Sequence, residues 1–355
     1  MALIKPSEIH RICVDCTGLI GDTLLRTPFI EALALICPGA KIDVIVYAGR
    51  ESLIQNHPNV ADVFCFEKRQ RSRSLQYAQG FFRILSRIRR KRYDLYVDLY
   101  GGGHSLWLMA MSAATYRLGF RRTFFQRVAA THGDSSPEHL EHLGGLFAPL
   151  LQFFDISVDL QRLRHGATFR PTPEASHFAI KLFSQFKNPI VLLNLGGGAP
   201  RKLWPVQSFV EISEWLADVY KMSCGVFVNP GQENLFSEYE AIANQRGYQS
   251  FFPVKTFEFD EIGAVLKQSA LHVTGDTGYM HIGFGVRTPT IGIFTYTRPE
   301  AVWPDDCQFK PCFRPDTKSV DQFNRPYGST IPVTDVQHAI KTFLDELVTP
   351  SPETR

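Results

Sequence analysis

Residues 274–294 place Asp276, Thr277 and His281 between a strand end, a glycine-bracketed turn and the start of a helix. Gly275 and Gly278 let the backbone turn sharply on either side of Asp276-Thr277, so that several N–H groups at the helix start point at one bound group. Those N–H groups and the helix dipole favour phosphate. His281 lies five residues after Asp276, about one and a half turns on, and leans back over the same opening as a donor to an anion. The chemistry expected here is anion capture by the N–H groups around Thr277 and Gly278, with His281 as a further donor, beside the Asp276 carboxylate. Read alone, an Asp-Thr-Gly would also serve as a plain helix cap.

Two further loops of the second half carry charged residues beside glycines. Leu193-Asn194-Leu195 runs into Gly196-Gly197-Gly198 and then Arg201-Lys202-Leu203-Trp204-Pro205. Asn229-Pro230-Gly231-Gln232-Glu233 follows another apolar run, and its glutamate could accept hydrogen bonds from ribose hydroxyls. In the first half, Cys16-Thr17-Gly18-Leu19-Ile20-Gly21-Asp22-Thr23 precedes a helical pattern over Leu24 to Leu35, with Asp22 at the helix start. Capping accounts for an aspartate there, and so would a general base facing a ligand. Gly101 to Gly103 with Ser105 mark another turn where backbone can approach a ligand.

Short apolar runs alternating with helical patterns must position these loops, which is the pattern of βαβ units and parallel sheets. Strands are expected near Arg11–Asp15, Lys41–Val46, Asp62–Phe66, Asp94–Leu99 and Tyr116–Phe120, then near Ile190–Leu195, Gly225–Asn229, Ser250–Val254, Leu271–Thr274 and Pro289–Phe294. Pro171 and Pro173 interrupt both helix and sheet and mark a junction. Two doubly wound α/β domains follow, 1–172 and 173–355, with ligands expected at the carboxyl ends of the strands.

In this order the motifs resemble glycosyltransferase family 9, the lipopolysaccharide heptosyltransferases. Gly21-Asp22 with Thr27-Pro28 is similar to the family's N-terminal motif. Tyr93 to Leu99 and Tyr116 to Phe120 resemble its fourth and fifth strands, Lys202-Leu203-Trp204-Pro205 its Lys-x-Trp-Pro signature, and Asn229 to Glu233 its glycine-rich turn. The resemblance spans roughly Ile12 to Trp303. It implies a GT-B fold, two Rossmann-like domains facing across a cleft, the first binding acceptor and the second a nucleotide-sugar donor. It also implies Asp22 as the catalytic base and Lys202, Glu233, Asp276, Thr277, Gly278 and His281 as donor-binding residues, with the Asp276 carboxylate expected to hold loop N–H groups or the sugar rather than the phosphate. Thr17, Gly18, Arg83, Arg87 and Arg90 are the acceptor-side candidates. Family members often carry a basic residue where this chain has Cys16, which leaves the identity of the acceptor open.

Composition narrows the classes. The chain has 355 residues, 44% of them hydrophobic and 21% charged, enough for two cores. No stretch approaches the ~18 apolar residues needed to cross a bilayer, and the start has no signal-peptide core, so a cytoplasmic placement is expected. The net charge of +3 conceals an asymmetry: residues 1–170 hold 22 Lys plus Arg against 15 Asp plus Glu, and residues 171–355 hold 16 against 20. Ten cations and no carboxylate lie between Lys68 and Arg92, interleaved with Phe81, Phe82, Ile84, Leu85 and Ile88. An amphipathic helix with a cationic face is expected, either solvated or turned to anionic lipid headgroups or a phosphorylated acceptor. No nucleic-acid-binding module accompanies the charge.

Seven scattered cysteines suggest reduced thiols. Cys13 and Cys16 sit on opposite faces if Ile12–Asp15 is a strand, and Cys307 and Cys312 are expected in a proline-containing loop, so no metal or redox site is read from either pair.

The resemblance thus implies an inverting, metal-independent transferase with no cofactor beyond its co-substrate. It would move heptose from ADP-heptose onto a saccharide or glycolipid acceptor, and peripheral contact with the inner face of an anionic membrane would suit such an acceptor. Two other readings fit the same donor loops: a nucleotide-sugar 2-epimerase, and a degenerate nucleotide-sugar-binding adaptor at the membrane surface.

Overall fold

Runs of buried β-branched and aromatic residues form the strands, and the helical patterns between them cover both faces of each sheet. The computed structural model describes residues 3–67, 74–135, 147–156, 167–304, 308–320 and 326–348. Lys68, Arg69, Arg71, Arg73 and Cys307 lie outside these ranges. The chain divides into two compact units, Met1–Arg170 and Pro171–Arg355.

The first unit is a parallel sheet of β1 (Arg11–Asp15), β2 (Lys41–Tyr47), β3 (Val60–Phe66), β4 (Leu95–Asp98), β5 (Tyr116–Phe120) and β6 (His132–Asp134), in the order β3-β2-β1-β4-β5-β6. Its helices are α1 (Ile20–Leu24), α2 (Thr27–Ile36), α3 (Ser74–Lys91), α4 (His104–Met111), α5 (Phe124–Ala129) and α6 (Ala148–Leu151). The winding reverses at β1, and right-handed crossovers therefore send α2 to one face and α3, α4 and α5 to the other. Two separate cores record this division. Val14 packs with Phe29, Ile30 and Leu150 on the α2 side. Cys13 packs with Ile84, Leu85, Ile88, Leu108 and Met109 on the other. Cys13 and Cys16 accordingly fall in different cores, and burial lifts both thiols, Cys16 to about 12.

Helix α3 is fastened to the sheet by part of its own charge. Lys91 Nζ donates to Asp43 at 2.8 Å and to Asp62 at 2.7 Å, and Tyr93 donates to the same Asp43 at 2.6 Å. Arg87 reaches Asp62 at 3.4 Å and lies 4.4 Å from the Phe64 ring centre. Ile84, Leu85 and Ile88 are buried beneath the helix, whereas Phe82, expected among the same apolar set, is 62% exposed.

The second unit repeats the plan with β7 (Ile190–Asn194), β8 (Ser223–Phe227), β9 (Phe251–Val254), β10 (Leu271–Gly275), β11 (Thr290–Phe294) and β12 (Phe309–Phe313), ordered β12-β11-β10-β7-β8-β9. A small antiparallel pair, β13 (Pro315–Val320) and β14 (Pro326–Gly328), follows. The helices are α7 (Pro173–Phe183), α8 (Val206–Tyr220), α9 (Glu233–Gln245), α10 (Phe259–Gln268), α11 (Gly278–Gly285) and α12 (Val333–Val348). Thr172 caps α7, accepting from Ala175 N–H, with Pro173 in the first helical position.

Four strands were not anticipated from sequence. β6 is short and polar, and a Cβ on Gly133 would stand 1.9 Å from the Gly119 carbonyl, so only glycine fits its pairing. Cys312 corrects a second expectation: it lies in β12 and not in a loop. β12 is the edge strand of its sheet, where Pro311 costs no central ladder bond. The pattern over Leu24 to Leu35 also proves to be two helices, because Pro28 opens the first turn of α2 and the chain breaks at Leu25-Arg26.

Candidate active site

In the second unit the winding reverses between β7 and β10, and the loops beyond their carboxyl ends carry the expected residues. Asn194, at the last position of β7, ties them together. Its amide donates to Thr277 Oγ1 at 2.9 Å, and its carbonyl oxygen accepts from Asn229 Nδ2 at 2.7 Å and from Gly196 N–H at 3.3 Å. Gln232 is bound reciprocally to Gly197, donating to its carbonyl at 3.0 Å and accepting from its N–H at 3.3 Å. Glycines keep the backbones close where these loops meet. A Cβ on Gly196 would lie 2.0 Å from Asn229 Nδ2, and one on Gly275 would lie 3.3 Å from the Lys202 carbonyl.

Thr277 is the N-cap of α11, its hydroxyl accepting from Met280 N–H, and Gly278 is the first helical residue. The early N–H groups of α11 therefore open onto the same loops. Lys202 Nζ sits 2.5 Å from Asp276 Oδ2, and the Thr297 hydroxyl donates to the same oxygen. Burial alone would raise the Asp276 carboxyl, but the charge and hydrogen bond of Lys202, the Thr297 hydroxyl and His281 outweigh it and hold the group below the usual carboxylate range. Asp276 was expected to hold loop N–H groups or sugar; it instead fixes the ammonium of Lys202. His281 is 5% exposed on α11, with Phe284 edge-on at 5.8 Å. Glu233 is exposed and accepts from Gly231 N–H at 2.9 Å, and this bond lowers its carboxyl.

In the first unit Asp22 lies in the first turn of α1, and its Oδ2 accepts from Leu19 N–H at 2.9 Å. Gly18 crosses directly behind it: a Cβ there would be 2.7 Å from Asp22 Cβ and 2.8 Å from Arg26 Nη1. Asp22 opens into a pocket of about 420 Å³ with Arg26, Tyr100, Phe120, Arg122 and Phe147 among its walls. Arg26 is 7% exposed and donates from Nη1 to the Thr17 carbonyl at 2.7 Å. Arg122 lies 4.3 Å from the Phe120 ring centre and 3.6 Å from Asp134. One carboxylate, two guanidinium groups and three aromatic faces make a wall able to receive a saccharide that carries negative charge.

Beneath this pocket the ends of β1 and β4 bury a polar cluster. Thr17 donates from Oγ1 to Asp15 at 2.7 Å and lies 3.2 Å from His104 Nε2. Asp98 accepts from the N–H groups of Tyr100 and Gly101, each at 2.9 Å, and from Ser105 Oγ at 3.0 Å. Burial first, and the charge of Asp15 second, push Asp98 up to about 6. Burial takes His104 down to about 4 against the opposing pull of Asp98. Thr17 is fully buried, so its hydroxyl holds the loop and does not face a ligand as expected.

The acceptor-side candidates therefore separate. Gly18 shapes the Asp22 loop, while Arg83, Arg87 and Arg90 are absent from the walls of the Asp22 pocket. Arg90 instead edges a groove of about 550 Å³ along α3 with Phe82, Arg89 and Arg92. Sequence reasoning missed Arg26, Arg122, Asn194 and Thr297. Arg26 was signalled by a lone cation in an apolar helical pattern, and Asn194 by a polar residue ending a fully apolar strand just before three glycines.

Residues 81–320 match the family model described as glycosyltransferase family 9 (heptosyltransferase). A lipopolysaccharide heptosyltransferase 3 of Escherichia coli is 23% identical, covering 93% of this chain and 98% of its own. The crystal structure of a family 9 glycosyl transferase from Veillonella parvula superimposes with a TM-score of 0.82 at 19% identity, over 97% of this chain and 99% of that one. An E. coli heptosyltransferase solved with ADP-2-deoxy-2-fluoro heptose gives 0.68 at 19% identity, over 95% and 99%.

Proposed function

The chain belongs to glycosyltransferase family 9, and from that premise we propose that it transfers heptose from ADP-heptose to a hydroxyl of a lipopolysaccharide-type glycolipid, with inversion and without a metal ion. The observation that carries the reading is the Lys202–Asp276 pair set at the N-terminus of α11 beside His281. On this reading the second unit, Pro171–Arg355, holds the donor and the first, Met1–Arg170, the acceptor.

The donor diphosphate would lie against the first N–H groups of α11, with Lys202 and His281 supplying positive charge. Asp276 would hold the lysine at that position, and Glu233 would receive the ribose hydroxyls. In the first unit Arg26 and Arg122 would take the acceptor's acidic group, and Asp22 would accept the proton of the attacking hydroxyl. As the oxygen–carbon bond forms on one face of the anomeric carbon, the bond to the diphosphate breaks on the other. The negative charge collecting on the leaving group meets donors already in place, each worth about 2.7–4 kcal/mol in comparable oxyanion sites. The acceptor is then met at an anionic membrane surface.

Thermal unfolding with ADP-, UDP- and GDP-sugars tests the donor. Stabilisation of about 2.7 kcal/mol is expected at a hundredfold excess of ADP-heptose over its dissociation constant. A shift with UDP- or GDP-sugars and none with ADP-heptose would overturn the reading.

A further inference from the structure

Helices α3, α4 and α5 form one layer on one face of the first sheet, α3 touching α4 and α4 touching α5. Their inner sides are apolar, as a covering layer must be, but their outer sides also carry large apolar residues. Phe82 is 62% exposed on α3, Trp107 62% on α4, and Phe124, Phe125 and Val128 are 73%, 68% and 63% exposed on α5. Single exposed apolar residues are ordinary; four aromatic rings on three adjoining helices are not.

The charge on this layer has one sign. The three helices contain no carboxylate in any of their positions, and they carry Arg83, Arg87, Arg89, Arg90, Lys91 and Arg127. Arg87 and Lys91 are engaged with Asp62 and Asp43, whereas Arg83 and Arg90 are exposed and make no ion pair among the described residues. Aromatic rings flanked by exposed arginines match the interface of an anionic bilayer, where rings sit at headgroup level and cations meet phosphates. A second copy of the chain is a poor occupant, because two such faces would oppose cation to cation.

We propose that the outer face of α3, α4 and α5 docks on an anionic phospholipid surface, with Phe82, Trp107, Phe124 and Phe125 entering the headgroup layer and Arg83 and Arg90 meeting lipid phosphates. This rests on the reading above that the acceptor is a glycolipid, and it explains where the acceptor enters. Gln126 and Thr123 of the α5 turn line the Asp22 pocket, while Phe124 and Phe125 beside them point outward. Docking through α5 brings the lipid surface to the pocket's rim.

The test is sedimentation of the full chain with vesicles of phosphatidylcholine alone or with about a third phosphatidylglycerol, at low and high salt. Wild-type protein should partition onto the anionic vesicles and be released by salt. W107S/F124S/F125S should lose partitioning by about tenfold or more for each ring removed, given the usual worth of a buried aromatic side chain. R83E/R90E should lose it by about fivefold per charge. The serine variant should keep its stabilisation by ADP-heptose. Wild-type protein that ignores both kinds of vesicle, or serine variants that bind as well as wild type, would overturn the proposal and leave the donor reading standing. Self-association of wild-type protein that the serine substitutions abolish would overturn it in favour of a second copy. Loss of the ADP-heptose shift in wild-type protein would count against the transferase reading alone.

Discussion

Replacing Asp22 by Asn separates the two tasks this residue can perform. As a cap, Asp22 accepts one hydrogen bond, from Leu19 N–H at 2.9 Å. An asparagine carbonyl oxygen accepts the same bond, so the variant forgoes only the charge–dipole contribution, about 0.3–1 kcal/mol at a helix start. As a base the residue has no substitute, because an amide takes no proton from an attacking hydroxyl. General base catalysis is worth about 10²–10⁴ in rate, equivalent to ~2.7–5.5 kcal/mol in the barrier. Asp22→Asn should therefore unfold within about 1 kcal/mol of wild type and retain its stabilisation by ADP-heptose. Its transfer rate, followed as acceptor-dependent ADP release at saturating donor, should fall at least a hundredfold. Asp22→Glu gives an internal comparison: it keeps a carboxylate but lengthens the arm against Gly18, whose backbone lies behind Asp22 Cβ, and should recover part of the rate. Turnover by Asp22→Asn within fivefold of wild type would refute the assignment of Asp22 as base.

Two further outcomes follow from the buried groups. Lys202→Met leaves the Asp276 carboxylate, 9% exposed, without its counter-ion, and should cost about 1–3 kcal/mol in urea unfolding. Adding Asp276→Asn should restore most of that stability without restoring the ADP-heptose shift, and a double variant that binds donor normally would remove Lys202 from the diphosphate site. His272 is fully buried on β10 with neither ring nitrogen hydrogen-bonded among the described residues, and burial lowers its pKa to about 3. The unfolded chain takes up this proton near pH 6.5 and the folded chain resists until about pH 3. Stability is accordingly lost as pH falls through that window, by up to ~1.4 kcal/mol per pH unit for this one group. His272→Phe should flatten the decline measured by urea unfolding at pH 7, 6 and 5, and an unchanged slope would show that the proton is taken up elsewhere.

The parts of the fold readable in sequence are those whose signal is local. β1, β7 and β10 are short apolar runs closed by aspartate, asparagine and glycine respectively, and their positions follow from composition within one or two residues. β6 gives no such signal, since His132-Gly133-Asp134 is strand only because its neighbour β5 offers an edge. The site divides likewise. Asp22, Lys202 and Asp276 stand in glycine-rich turns and announce themselves, but the pairing of Lys202 with Asp276 joins positions 74 residues apart and has no trace in either turn. Arg26 and Arg122 reach one pocket from separate loops, and that convergence depends on the order of strands in the sheet, which a linear pattern does not encode.

The anchoring of α3 through Asp43 and Asp62 means that its positive residues are not interchangeable. Lys91 and Arg87 act as rivets whose removal would loosen the helix from β2 and β3, whereas Arg83 and Arg90 could be reversed with the helix still seated. Neutralising the whole cluster at once would confound a detached helix with an altered surface. Substituting the two classes separately distinguishes the charge that holds this protein together from the charge it presents to its surroundings.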